Sequence, residues 1–404
     1  MPPSRRLFLQ TATGLAMGSL VRPGTGAAAT ARQSAPRGRA RARALGIICG
    51  DLPPGPLNAI ADVQGVRVGH TTVIKGEGPL VEGQGPIRTG VTAIVPHDGS
   101  LTREGIPAAI FNLNGNGEMT GYLRIRESGL LTSPIMLTGT FNVGRVYDLT
   151  LEHLLRRDPD LGVSHPFPTP VVAETSDASL NDTMARMITY DDVAAAIDGA
   201  VSGPVPEGAV GGGTGMVTYG FKGGIGTASR RLTPAQGGWT VGVLVQANHG
   251  TRRLLRIDGV PVGREIDDLR PGPAAPPKSI IIVVATDAPL LSNHLFRLAK
   301  RTVMGLARSG SISAHSSGDI FLACSTGNRF QAADGSPLRP IRTVPDGLIS
   351  ALYQPTVEAT DEAIVNAMTM AVTMKGKNDH VVHAIPLDRL VEVMRKYNRL
   401  REPA

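Results

Sequence analysis

Ser279 heads the stretch S-I-I-I-V-V-A-T-D-A-P (279–289), directly after a proline-rich loop at 271–278. A serine hydroxyl is a weak nucleophile until a neighbouring base takes its proton. No G-x-S-x-G elbow is present to supply that arrangement. His315, Ser317 and Asp319 lie close in sequence, but alternate residues of one strand point the same way and rarely form a triad. Ser279 offers another route. Cleavage of the Lys278–Ser279 bond would give it a free α-amino group with a pKa of about 7.7–8.0. That amine would sit one bond from the carbon bearing the hydroxyl and could take its proton near neutral pH. Nucleophile and base would then be one residue.

The other candidate chemistries are weaker. Of nine histidines only His380 and His383 are close, with no acid at helical spacing, so no metal site is expected. The run G-G-G-T-G (211–215) lacks the Lys-Ser/Thr ending of a P-loop, and Lys222 follows too late. Glycines clustered in this way also let two backbones approach closely, which is the use expected here.

Several elements must position Ser279. Ile280–Ala285 reads as a buried strand. Asp287 and Pro289 then read as the cap and first turn of a helix over 288–308. Trp239–Asn248 and Ile320–Ser325 read as strands, and Pro170–Glu174 as a strand ending at an acid. Helices are expected over 147–155, 190–200, 357–374 and 387–397, and a hairpin over 251–263 around Asp258-Gly259. Strands and helices intermix without an internal repeat, which places the chain in the α/β (α+β) class.

Composition bounds the function. The chain has 404 residues, 41% hydrophobic, 19% charged and 4% aromatic, the profile of a globular enzyme without base-stacking platforms. The net charge of +7 is concentrated in arginines before residue 44. The remainder is close to neutral, so no nucleic-acid partner is inferred. Residues 1–31 read as a twin-arginine signal peptide: S-R-R-L-F-L (4–9), a short apolar stretch and small residues at 24–31. Residues 32–50 read as a basic flexible leader, and 51–404 as one domain. This implies a periplasmic or secreted protein with no membrane association beyond export. Cys49 and Cys324 are expected to be buried free thiols, although one disulfide is possible.

The order of the blocks resembles the self-processing family of L-aminopeptidase D-amidase/D-esterases and β-aminopeptidases, with nylon-oligomer hydrolase a more distant relative. The resemblance rests on N-A-I-A-D-V-Q-G-V-R-V-G-H-T-T (58–72), N-G-N-G-E-M-T-G (114–121), V-V-A-E-T-S-D-A-S-L-N-D (171–182), G-G-G-T-G-M (211–216) and F-K-G-G-I-G-T-A-S-R (221–230). It continues through V-G-V-L-V-Q-A-N-H-G (241–250), the Ser279 stretch and S-G-D-I-F-L-A (317–323). It implies a four-layer α-β-β-α sandwich of the N-terminal-nucleophile type. It also implies self-cleavage at Lys278–Ser279 into an α and a β chain, and metal-free, cofactor-free release of N-terminal residues from small peptides, amino-acid amides or esters. Assembly into a homo-oligomer is implied as well.

By the same resemblance Ser279 is the nucleophile, Asn248 an oxyanion donor, and Ser317 and Asp319 the residues that hold the Ser279 hydroxyl and amine. Glu174 pairs with the substrate ammonium. Two departures stand out. Relatives often carry an aromatic residue where this chain has Ser176, which widens the substrate site. They often have Gly or Asn before the nucleophile, and Lys278 is less permissive, which predicts slower self-processing. Two other readings are an amidase on non-peptide amides, as in the nylon-hydrolase branch, and a non-catalytic exported binding protein with the same fold.

Overall fold

The computed structural model describes residues 36–272, 279–331 and 339–401. The chain divides into two units, residues 1–32 and 33–404, and every described residue belongs to the second. The expected signal peptide and Lys278 lie outside the described residues.

Among the described residues, nine strands of five residues or more form two sheets. The smaller has the order β1 (Arg67–Lys75), β2 (Ile87–Val95), β4 (Ile135–Gly139), β5 (Val171–Thr175), with only the β4–β5 pair parallel. The larger runs β3 (Glu104–Gly115), β9 (Gly318–Ser325), β8 (Ser279–Thr286), β7 (Thr240–Asn248), β6 (Gly224–Arg231). Only β8 and β9 are parallel in this run.

Alternation along the strands builds the layers. In β8, Ile281, Val283 and Ala285 join Leu244, Ile320 and Leu322 in the core between the sheets, with Ile135, Leu137 and Ala173 opposite. Ile280, Ile282 and Val284 face the other way, towards Leu295, Leu298 and Ala363 of the helices. A strand buried on both faces reads as one continuous apolar run, and each such side chain contributes about 1.5–3 kcal/mol. The outer helices on this side are α3 (Ser292–Arg308) and α4 (Tyr353–Thr369). In α3 the buried residues Leu295, Leu298, Ala299, Thr302 and Leu306 make one stripe. The smaller sheet packs its Val91, Ala93, Met136 and Val172 on Val146 of α1 (Val143–Arg157) and Val193 and Ile197 of α2 (Tyr190–Asp198). The result is the expected α-β-β-α sandwich, with α5 (Leu387–Lys396) near the C-terminus.

Three local expectations are corrected. Helix α3 begins at Ser292 rather than Ala288, because the Asp287 carboxylate accepts the Thr240 N–H at 2.8 Å and ties the start of β7 to the end of β8. Residues 251–263 hold a 3-10 turn, a bridge between Ile257 and Val260 and a short helix rather than a hairpin, though Asp258 and Gly259 do take the positive φ of a tight turn. The segment 32–50 is not a flexible leader where it is described. Arg41 pairs with Glu207 (2.7 Å) and donates to the Thr227 carbonyl (2.6 Å), Arg43 pairs with Glu362 (3.0 Å), and the Ala42 N–H donates to Asn366 (2.9 Å). Glu207 and Glu362 are buried, and a buried carboxylate requires a partner. These arginines supply it, so they are folded structure rather than loose charge.

Candidate active site

The sheet delivers Ser279 to one edge together with two other strand ends. Because β8 and β9 are parallel, their N-termini meet, with Ile280 opposite Asp319. Because β7 is antiparallel to β8, its last residue arrives there too, with Asn248 directly opposite Ser279. The Ser279 hydroxyl oxygen accepts the Gly318 N–H at 3.1 Å.

Asn248 is 2% exposed and its amide is fixed at both ends. Its Oδ1 accepts the Val217 N–H at 2.8 Å, and its Nδ2 donates to the Ser176 carbonyl at 2.9 Å. An amide nitrogen carries two N–H donors, and the bond to Ser176 uses one of them. Val217 is presented by the glycine-rich turn at 211–216, where close packing requires glycine: a β-carbon on Gly213 would collide with the Ile225 nitrogen. Lys222 holds this turn. It is fully buried and donates to the carbonyls of Gly213 (3.3 Å), Met216 (2.7 Å) and Gly223 (2.9 Å), and burial lowers its pKa to about 7.

Ser317 and Asp319 are both buried, and the serine hydroxyl donates to Asp319 Oδ1 at 2.6 Å. Burial raises the Asp319 pKa, while hydrogen bonds from Ser317, Ser313 and the Ile280 N–H oppose the rise. The residue between them, Gly318, supplies the N–H to Ser279. His315 is exposed and outside this group.

Glu174 is the second-last residue of β5, which Thr175 extends one residue beyond its expected end, and is 4% exposed. Its Oε1 accepts the Glu118 N–H at 3.2 Å and its Oε2 accepts the Thr140 hydroxyl. Burial raises its pKa, and these two donors pull it back. Segment 114–121 connects the acid to the serine: a β-carbon on Gly117 would stand 3.0 Å from Glu174 Oε1 and 3.1 Å from the Gly318 Cα. Ser176 is exposed, and it is the Ser176 carbonyl that takes part in the site. The structure thus brings together Ser279, Asn248, Ser317, Asp319, Glu174 and Ser176. It adds Gly318, Thr140, Val217 and Lys222, whose parts in the site no sequence motif announces.

Away from this edge, Asp158, Asp160 and His165 hold potential ligand atoms within 4.8 Å of one another, in a turn where Asp158 already pairs with Arg103 at 2.7 Å. His165 has no neighbouring histidine in the sequence, so spacing does not point to it. Both cysteines are buried and free. No helix among the described residues is long and apolar enough to cross a membrane.

Sequence and sandwich together place the chain among hydrolases of the aminopeptidase class. The chain belongs to Peptidase family S58, whose pattern matches residues 58–382. It is 45% identical to the beta-peptidyl aminopeptidase BapA of Sphingosinicella xenopeptidilytica over 382 residues, 91% of this chain and 93% of that one. Solved structures are similar as well. A beta-aminopeptidase of a Burkholderia species is 44% identical with a TM-score of 0.80, over 88% of this chain and 99% of that one. The L-aminopeptidase D-Ala-esterase/amidase of Ochrobactrum anthropi, a serine aminopeptidase described as a variant of the Ntn hydrolase fold, is 42% identical with a TM-score of 0.83. It aligns over 89% of this chain and 99% of its own.

Proposed function

We propose that the chain is an exported, self-processing serine aminopeptidase. It cleaves itself between Lys278 and Ser279, then releases N-terminal residues from small peptides, amides or esters without metal. Similarity to a beta-peptidyl aminopeptidase favours N-terminal β-amino-acid residues among the substrates. The observation that carries the reading is the placement of Ser279: first residue of a central strand, its hydroxyl on the Gly318 N–H and the Asn248 amide directly across. The new Ser279 amine takes the hydroxyl proton, and Oγ attacks the substrate carbonyl carbon. The free Asn248 N–H receives the oxyanion. The leaving amine takes the proton as the C–N bond breaks, and water then hydrolyses the acyl-enzyme ester. Glu174 pairs with the substrate ammonium, which restricts the enzyme to chain ends. Ser317 and Asp319 hold the Ser279 amine, and the two-chain unit assembles into a homo-oligomer.

Intact mass and N-terminal sequencing of the purified full chain test this. Two fragments are expected, one beginning Ser-Ile-Ile-Ile-Val, with Ser279→Ala remaining one inactive chain. Cleavage of Ser279→Ala at the same bond would refute self-processing.

A further inference from the structure

The segment between nucleophile and ammonium acceptor carries a second carboxylate. Gly117 is wedged between Glu174 and Gly318. Glu118 follows it, donates its backbone N–H to Glu174 Oε1 at 3.2 Å, and leaves its own side chain exposed. No ion pair engages that side chain among the described residues. Its charge is felt at Glu174: burial raises the Glu174 pKa most, and the charged groups that add to the rise are both acids, Asp177 and Glu118. Asp177 is buried, whereas Glu118 is exposed to solvent beside Glu174.

We propose that Glu118 is a specificity-determining residue that favours substrates whose N-terminal residue has a cationic side chain and disfavours those with an acidic one. The inference rests on the aminopeptidase reading above, in which Glu174 takes the substrate's terminal ammonium. With Glu174 committed to that ammonium and to its Thr140 and Glu118 donors, a second positive charge on the same residue meets the solvated Glu118 carboxylate. A second negative charge meets repulsion there. An exposed pair of this kind changes the specificity constant by about three- to fivefold for each sign of charge.

The test measures kcat/KM of the processed full-chain enzyme on lysyl, leucyl and glutamyl p-nitroanilides and their β-homo counterparts, for wild type, Glu118→Gln and Glu118→Lys. The wild type is expected to prefer lysyl over leucyl over glutamyl. Glu118→Gln should lower the lysyl-to-glutamyl ratio about tenfold, the combined effect of the two pairs. Glu118→Lys should invert the ratio, leucyl release should change little, and added salt should compress the wild-type ratio. Leucyl release with a lysyl-to-glutamyl ratio that neither variant alters overturns the inference and leaves the aminopeptidase reading intact. Failure of the wild type to release any of the substrates overturns that reading, and the inference with it.

Discussion

Asn248 and Ser279 face each other directly across β7 and β8, the last residue of one strand against the first of the next. The Asn248 amide is pre-set by Val217 and the Ser176 carbonyl, so in the proposed mechanism it needs no reorganisation when an oxyanion forms. Asn248→Asp keeps an oxygen for Val217 but loses the N–H donors. It is expected to lower kcat by about 10²–10³, equivalent to roughly 2.7–4 kcal/mol, with a smaller change in KM. Steady-state kinetics on a processed enzyme decide the matter, and an unchanged kcat would remove Asn248 from the oxyanion site.

Thr140 is expected to set the acid limb of activity. Its hydroxyl donates to Glu174, which burial already pushes towards the protonated form. In the proposed mechanism Glu174 must be ionised to hold the substrate ammonium. Loss of a donor that favours the carboxylate raises its pKa further, so activity fails at a higher pH. A hydrogen bond to a charged group is worth about 1.5–3 kcal/mol, and one pKa unit is about 1.36 kcal/mol. Thr140→Val should therefore shift the acid limb of kcat/KM upward by about one unit or more, with Thr140→Ser close to wild type. If the limb stays in place in the valine variant, Glu174 is not the titrating group.

Lys222 makes a prediction about stability. Burial lowers its folded pKa to about 7, whereas the unfolded side chain stays near 10.4. Between these values the unfolded chain binds more protons, so stability rises with pH from about 7 to 10 and is flat below. Lys222→Met removes this slope and leaves the carbonyls of Gly213, Met216 and Gly223 without a donor; a neutral amine has two N–H groups, so about 1–3 kcal/mol is lost for each of two of them. Urea midpoints at pH 7, 8 and 9 should show wild type gaining on the variant. Parallel curves would mean that the lysine is folded as an ammonium.

The sequence was readable wherever one strand carried the signal. The apolar run at 280–285 announces a strand buried on both faces, and Ser279, Asn248 and Glu174 sit at or next to strand ends that can be placed from their own neighbours. What escaped were partners joined only by the fold. The Gly318 N–H is a backbone group that no residue type advertises. Thr140 lies 34 residues from Glu174. Lys222 follows too late for a phosphate loop, and its contacts with the glycine turn are visible only in the fold. Asp287 looks like a helix cap until β7 arrives to claim its carboxylate. The arginines at 41 and 43 read as loose charge because Glu207 and Glu362 are more than 160 residues away.

Gly117 sets the spacing between the two halves of the site, and it separates positional effects from general destabilisation. A β-carbon there would press on Glu174 Oε1 at 3.0 Å and on the Gly318 Cα at 3.1 Å. Both contacts are tighter than ordinary packing, and neither neighbour can retreat cheaply. Glu174 is held by Thr140, and moving Gly318 displaces the N–H bonded to Ser279. Gly117→Ala should therefore lower kcat/KM by about tenfold or more, since displacements near 1 Å at a reacting centre can cost roughly 10²-fold. Gly144, inside α1, has nothing within 4 Å of the same added carbon. Gly144→Ala should stabilise the protein by about 0.4–1 kcal/mol without changing kcat/KM. Thermal melts and kinetics on the pair give the answer: full activity in Gly117→Ala would show that the serine and the ammonium acceptor do not depend on this spacer.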